Sequence, residues 1–213
     1  MTIHESRAGD TVPLVAKAAG ATPFKRPENM AWLPDSKFRT FFFTTAGDTD
    51  APTSGSLFRV DLREENFGKG GSKIKPLDDG MISIFVLGDQ LHNSFDNLAF
   101  ANEHQVSVAE DRGDTRHQQL NVLDSVSAFD VDRRQPLASA VRFIALGRDA
   151  LADPEGEEDN EPTGLIVANG STRREELVGT RKSLDDARGF FTMQHGQNSV
   201  SEILRKDVIV AKK

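Results

Sequence analysis

The chain has 213 residues with 26 basic and 33 acidic side chains, which gives a formal net charge of -7. Its apolar fraction of 37% is sufficient for a hydrophobic core, so a disordered chain is excluded and one domain, or two small ones, is expected. The sequence contains no cysteine, which rules out disulfides and thiolate-ligated metal sites within this polypeptide. The acidic balance argues against nucleic acid as a partner, because non-specific binding to a nucleic-acid backbone requires a basic surface that displaces its counterions.

Residues 1–10 lack the basic and apolar regions of a signal peptide, so we expect no export signal. The longest nearly uncharged apolar run, residues 81–88, is shorter than the roughly 20 residues that a membrane-spanning helix needs. We therefore expect no membrane partner.

Short apolar segments rich in Phe, Val, Ile and Leu alternate with clusters of Gly, Pro, Asp and Asn, which predicts a mostly β protein. In chain order the predicted strands are 29–33, 40–45, 56–62, 82–87, 97–101, 105–110, 126–131, 140–146, 164–168, 189–194, 200–204 and 207–211. Two short helices are predicted at 172–177 and 183–187.

The strands follow an internal repeat. Segments that begin at Asn29, Asn97 and Gly164 align with one another, and these positions are 68 and 67 residues apart. Four strands in each repeat are typical of a propeller blade. We therefore predict an all-β fold: a β-propeller, or part of one, with about three four-stranded blades at approximately 22–90, 91–152 and 160–213, after an N-terminal extension at 1–21.

Closed propellers typically have four to eight blades, so three blades alone leave the ring open. Three alternatives follow. The chain is part of a longer propeller, a second copy completes a six-bladed ring as a homodimer, or the three blades form an open wedge with an exposed edge.

Polar residues recur at the start of the first strand of each repeat, which in a propeller lines the central channel. They are Arg26, Glu28, Asn29, Asp96, Asn97, Glu161 and Thr163, joined by the turns at 110–112 and 194–195. Carboxylates that meet at one axis repel each other unless a cation neutralises them, which indicates a hard divalent ion with oxygen ligands. The alternative is that the Asp and Asn residues only cap turns by bonding their own backbone. Arg112 could likewise belong to a surface ion pair, and His195 to the channel wall.

Sequence motifs of serine hydrolases, P-loop NTPases, zinc proteases and dinucleotide-binding enzymes do not occur. Five phrases instead resemble the PhoX-type alkaline phosphatase family and its relatives. They are RPENMAW at 26–32, FDNLA at 95–99, EDRGD at 110–114, EPTG at 161–164 and QHGQ at 194–197, in the order and spacing of that family across about residues 22–204.

The resemblance implies a six-bladed propeller that hydrolyses phosphomonoesters at an axial site holding calcium and iron. Carried over by position, Glu28 and Glu110 correspond to metal ligands, Asp96 and His195 are further metal-ligand candidates, and Arg112 would clamp the phosphate. Glu161, at the start of the first strand of the third repeat, is also a metal-ligand candidate, and Arg112 and His195 are the catalytic candidates. Family members with this activity use a cysteine as an iron ligand, which this chain lacks. The alternative functions are therefore a non-catalytic propeller module that binds a cation or a partner, and a truncated fragment.

Overall fold

A computed structural model describes residues 12–47, 53–62, 80–111, 122–133, 136–146, 161–168, 188–194 and 199–203. These residues form one helix, eleven strands and a 3-10 turn at Pro136–Ser139. The elements are α1 (Val12–Ala18), β1 (Pro27–Trp32), β2 (Thr40–Thr45), β3 (Ser56–Leu62), β4 (Gly80–Leu87), β5 (Phe95–Asn102), β6 (Gln105–Glu110), β7 (Ser125–Asp130), β8 (Val141–Ala145), β9 (Pro162–Ala168), β10 (Arg188–Met193) and β11 (Val200–Ile203). No helix in this part of the chain is both long and apolar enough to cross a bilayer.

The strands form three antiparallel sheets in which each strand pairs with its neighbour in sequence. The first sheet has the order β1-β2-β3-β4, the second β5-β6-β7-β8, and the third is made of β9, β10 and β11 with β10 in the middle. The all-β prediction is confirmed, and the described strands begin and end within two residues of their predicted bounds. The predicted strand at 207–211 and the predicted helices at 172–177 and 183–187 lie outside the described residues.

The helix α1 was not predicted, and its sequence explains why. Its seven residues, VPLVAKA, have no acidic residue in the first turn and are too few to display a helical repeat of apolar positions. It lies within the predicted N-terminal extension.

The sheets pack face to face, and each junction has its own hydrophobic core. Phe42 and Leu57 of the first sheet pack against Phe100, Val106 and Phe129 of the second. On its opposite face, the second sheet packs against the third through a smaller group: Ala109, Val126, Leu165 and Phe191. The second sheet is therefore covered on both sides, which is why β6 and β7 are almost entirely buried instead of alternating between core and solvent.

The first strands of the three sheets, β1, β5 and β9, are neighbours in space. Each is preceded by a non-glycine residue with a positive φ: 48° at Arg26, 55° at Ser94 and 38° at Glu161. The carbonyl of each of these residues accepts a hydrogen bond from the residue that follows the second strand of its sheet. These bonds are Ala46 to Arg26 (3.0 Å), Asp111 to Ser94 (2.9 Å) and Gln194 to Glu161 (3.0 Å). The sequence repeat is thus a repeat of backbone geometry, while closure into a propeller stays a prediction.

The core between the first two sheets generates a stability prediction. Phe42 is fully buried, with its ring 5.1 Å from that of Phe85 and 5.4 Å from that of Phe100. We expect Phe42→Ala to lower the free energy of unfolding by about 3–5 kcal/mol, because it leaves a cavity at the junction. Phe38→Ala is the matched control, since that ring is exposed, and it should cost under about 1 kcal/mol in the same urea titration. Equal losses for the two variants would contradict the packing described here.

Candidate metal centre

A β-bulge lies near the start of the first strand in each sheet. The strand register shifts between Pro27 and Met30 in β1 and between Phe95 and Leu98 in β5, and the third sheet has a matching shift where β9 pairs with β10. A bulge adds one residue to a strand and changes the direction in which its side chains point. In β1 and β5 the residues within the bulge are Glu28 with Asn29 and Asp96 with Asn97.

Side chains from these bulges link the three sheets to one another. The Asn29 side-chain amide donates to Oδ1 of Asn97 at 3.3 Å, and the Asn97 amide donates to Oγ1 of Thr163 at 2.8 Å. The Thr44 hydroxyl bonds the backbone carbonyl of Asp96 at 2.5 Å, across the first junction. Positions that are 68 and 66 residues apart in sequence are therefore in direct contact.

Three carboxylates meet beside this polar link. One oxygen from each of Asp96, Asp111 and Glu161 lies within 4.8 Å of the other two, and all three residues are half-buried. Asp96 lies in the bulge of β5, Asp111 directly follows β6, and Glu161 directly precedes β9. We call these three residues the acid cluster. Two sheets and three separate chain segments build it.

Burial and neighbouring acids disfavour the ionised form of Asp96 within the cluster. Burial, followed by the nearby charge of Glu28, raises the pKa of Asp96 to about 6, and Glu161 acts in the same direction. The hydrogen bond from Asn97 and the charge of Arg26 oppose this rise in the pKa without cancelling it. An acid becomes harder to ionise where its neighbours are also acids, and a cation bound among them reverses this effect.

The spacing of the cluster suits a calcium ion. Calcium takes oxygen ligands at 2.3–2.6 Å, so ligand atoms on opposite sides of one ion are about 5 Å apart and adjacent ones are closer. Carboxylate oxygens within 4.8 Å of each other can therefore share one ion with small side-chain adjustments. Carbonyl and amide oxygens close by, such as those of Asn97, are also suitable ligands for a hard cation.

The predicted site residues fall into three groups. Asp96 and Glu161 belong to the acid cluster. Glu28 lies outside it but acts electrostatically on Asp96, and it forms an ion pair with Arg26, at 3.3 Å between Oε1 and Nε. Glu110 lies apart from the cluster, and the catalytic candidates Arg112 and His195 lie outside the described residues. The roles of all six residues stay predictions.

Glu110 is fully buried in a polar network of its own. Its Oε1 is 2.8 Å from His92 Nδ1, and its Oε2 accepts a hydrogen bond from the Ser125 hydroxyl at 2.8 Å. Arg142 Nη2 is 3.7 Å from the same carboxylate. The network surrounds the buried carboxylate with hydrogen bonds and the guanidinium of Arg142, which a buried carboxylate requires.

The turn after β6 was predicted to lie at the site, with Glu110 and not Asp111 as the metal-ligand candidate. Adjacent residues of a strand point to opposite faces of the sheet, so only one of these two acids can face the neighbouring first strands. The burial of β6 on both faces concealed which one does, because apolar residues occupy both sides of the strand. Asp111 is held toward the cluster by the hydrogen bond from its backbone N–H to the Ser94 carbonyl.

The Glu110 network generates a second prediction. We expect Glu110→Ala to lower the free energy of unfolding by about 3–5 kcal/mol, because it removes the acceptor that satisfies buried groups of His92 and Ser125. Glu103→Ala is the control, since Glu103 pairs with the exposed ring of His104 at 3.6 Å and should contribute under about 1 kcal/mol. Chemical denaturation of both variants measures the difference, and a negligible cost at position 110 would refute the role given to this network.

The raised pKa of Asp96 generates a third prediction, for protein kept in a chelating buffer. The folded chain holds the Asp96 proton up to a pH of about 6, whereas the unfolded chain, with a pKa near 3.8, releases it earlier. Stability is therefore lost as the pH rises from 3.8 toward 6, and the loss persists above 6. Asp96→Asn removes this penalty, so we expect it to stabilise the folded state at pH 7 by about 1–2 kcal/mol after solvent screening.

The same variant should bring no stabilisation at pH 3.5, where the acid is protonated in both states. Asp35→Asn, at an exposed turn residue, is the control and should not change this pH dependence. A loss of stability at pH 7 in Asp96→Asn would show that the cluster is not repulsive.

Comparison with known proteins adds no assignment: no protein-family model matches the chain, and neither a curated protein nor a solved structure matches it.

Proposed function

We propose that this chain is a propeller-type protein that binds a divalent cation, calcium, at the acid cluster and serves in phosphomonoester hydrolysis. The observation that carries the proposal is the convergence of Asp96, Asp111 and Glu161, whose oxygens lie within 4.8 Å of one another although the residues come from distant parts of the chain.

The nature of the ligand atoms supports calcium. The cluster offers carboxylate oxygens only, and hard cations such as calcium prefer oxygen ligands. A cysteine ligand for iron, which the resemblance implies, has no counterpart in this sequence. The proposal therefore keeps calcium and leaves iron out.

The arrangement of the sheets supports a propeller. Sheets stacked face to face, with their first strands adjacent, are expected of consecutive blades around an axis. The acid cluster lies where β5 and β9 begin, so in a complete ring it would lie at one mouth of the central channel. Such a position gives a substrate access to the cation from solvent.

The neighbouring cationic side chain supports a phosphate ligand. Arg26 is more than half exposed, pairs with Glu28 and acts on the charge of Asp96, so its guanidinium lies at the solvent side of the acids. A guanidinium can bind two phosphate oxygens at once. Arg112, directly after Asp111 in sequence, is the second candidate for this clamp.

In this mechanism the residues of the chain bind and orient the substrate. A bound divalent cation supplies charge neutralisation for the phosphoryl oxygens in the transition state. The acid cluster holds the cation, Asn97 and Thr163 fix the first strands that carry the acids, and Arg26 orients the ester. Because ionised Asp96 is needed to hold the cation, binding of calcium to the metal-free protein should strengthen as the pH rises through about 6.

The test combines binding and turnover on the full chain. Calcium should raise the melting temperature, since a ligand that binds only the folded state stabilises it. Asp111→Asn should abolish this rise and also the hydrolysis of p-nitrophenyl phosphate, which a chelator should suppress in the wild type. Asp35→Asn, an exposed acid-to-amide change, should leave both unchanged.

The calcium-induced change in melting temperature and the turnover together separate the candidate functions. Absence of any calcium-induced rise would overturn the cation site. A calcium-induced rise without turnover would overturn the hydrolase and favour the second candidate, a non-catalytic module that binds a cation.

A further inference from the structure

The first sheet has a broad apolar face on the side opposite the second sheet. Strand pairing aligns its side chains in two rows that cross all four strands. One row is Met30, Phe43, Phe58 and Ile84, and the other is Trp32, Phe41, Val60 and Ile82. Neither row contains a charged residue. We call this surface the outer face of the first sheet.

Much of this face is open to solvent. Met30 is 47% exposed, Ile82 51% and Ile84 56%. The rings of Phe43 and Phe58 stack at 4.8 Å, and a cleft of about 550 Å³ opens beside Phe58. Soluble monomers rarely expose contiguous apolar surfaces of this size, so the face has the properties of an interface.

The internal repeat identifies what such a face packs against. The residues of the second sheet that align with Met30 and Trp32 are Leu98 and Phe100. These two side chains are buried against the inner face of the first sheet, which is centred on Phe42. We call the face of any sheet that corresponds to the outer face of the first sheet the outer type, and the opposite face the inner type. Within this chain, the outer-type face of the second sheet is therefore covered by the inner-type face of the first sheet.

The third sheet presents a free face of that inner type. Its opposite face, with Leu165 and Phe191, is buried against the second sheet. The free face carries Ile166 and Phe190, which pair across β9 and β10, and Val200, which pairs with Thr192, while Glu202 of β11 lies opposite Phe190. Ile166 and Val200 are 56% and 70% exposed. Among the described residues, one exposed face of each type is therefore present, on opposite sides of the stack.

We propose that the outer face of the first sheet binds the free face of the third sheet of a second copy of this chain. Because each copy offers both faces, two such junctions close a two-fold symmetric dimer of six sheets. Each junction would repeat the contact that the first and second sheets make within one copy. The inference does not depend on the proposed hydrolase activity, since it rests on apolar packing alone.

The test measures the mass of the full chain in solution by light scattering after gel filtration. We expect twice 23.4 kDa for the wild type. Ile84→Lys and, separately, Val200→Lys should each reduce the mass to that of one chain, because a lysine in either face would be buried in both junctions. Leu91→Lys changes an equally exposed apolar residue away from these faces and should remain dimeric.

Trp32 provides a second measurement, because it is the only tryptophan and lies in the outer face. Its fluorescence should shift to shorter wavelength in the dimer and return to longer wavelength in Ile84→Lys. If Ile84→Lys fails to fold, Val200→Lys tests the same junction.

Three results would overturn the proposal. One is a monomeric wild type at every accessible concentration. Another is a set of disperse aggregates that grow with concentration, since a closed dimer does not grow. The last is a dimer that persists in Val200→Lys, because pairing between two copies of the first sheet would not involve that residue.

Discussion

The structure depends on the close approach of β1, β5 and β9, the first strands of three successive sheets. Their approach requires the chain to enter each strand through a residue with a positive φ, a conformation that costs free energy in Arg26, Ser94 and Glu161. The same backbone hydrogen bond compensates this cost in every sheet, and its donor is the residue that follows the second strand. Without that bond, the bulged strand starts would not meet and the acid cluster would not form.

Stability and site formation oppose each other at this point. The sheets gain free energy from the apolar cores on either side of the second sheet. The acid cluster reduces that gain, because burial and neighbouring acids raise the pKa of Asp96. A structure selected for stability alone would place an amide or a hydroxyl there, as it does with Asn97 and Thr163. The close approach of these three acids is the feature on which the proposed cation site rests.

The sequence predicted the strands and the repeat well, for a physical reason. The apolar segments are short, rich in Phe, Val and Ile, and bounded by turn residues, so local preference and tertiary packing agree. It was also possible to predict that Asn29, Asn97 and residue 163 or 164 come together, because equivalent positions of adjacent repeats are neighbours. The free apolar face could not be predicted, since Phe41, Phe42 and Phe43 are alike in sequence and only strand pairing shows which rings face outward.

It was harder to predict which of two adjacent acids belongs to the acid cluster, because this depends on one alternation along β6. Glu110 and Asp111 have the same charge and adjoin each other, and the sequence contains no feature that says which one turns toward the neighbouring sheet. The contacts of the two residues explain the difference. His92 and Ser125 supply partners for Glu110 inside the second sheet, while the backbone N–H of Asp111 donates to the Ser94 carbonyl.

The peptide unit between Glu110 and Asp111 therefore joins two different electrostatic environments. The Glu110 carboxylate is buried among polar partners, whereas the Asp111 carboxylate lies close to two other acids. A rotation of this peptide unit that changed the contacts of Glu110 would also move the side chain of Asp111. A repacked His92 would therefore shift the end of β6, and with it the position of Asp111, without altering any side chain of the acid cluster.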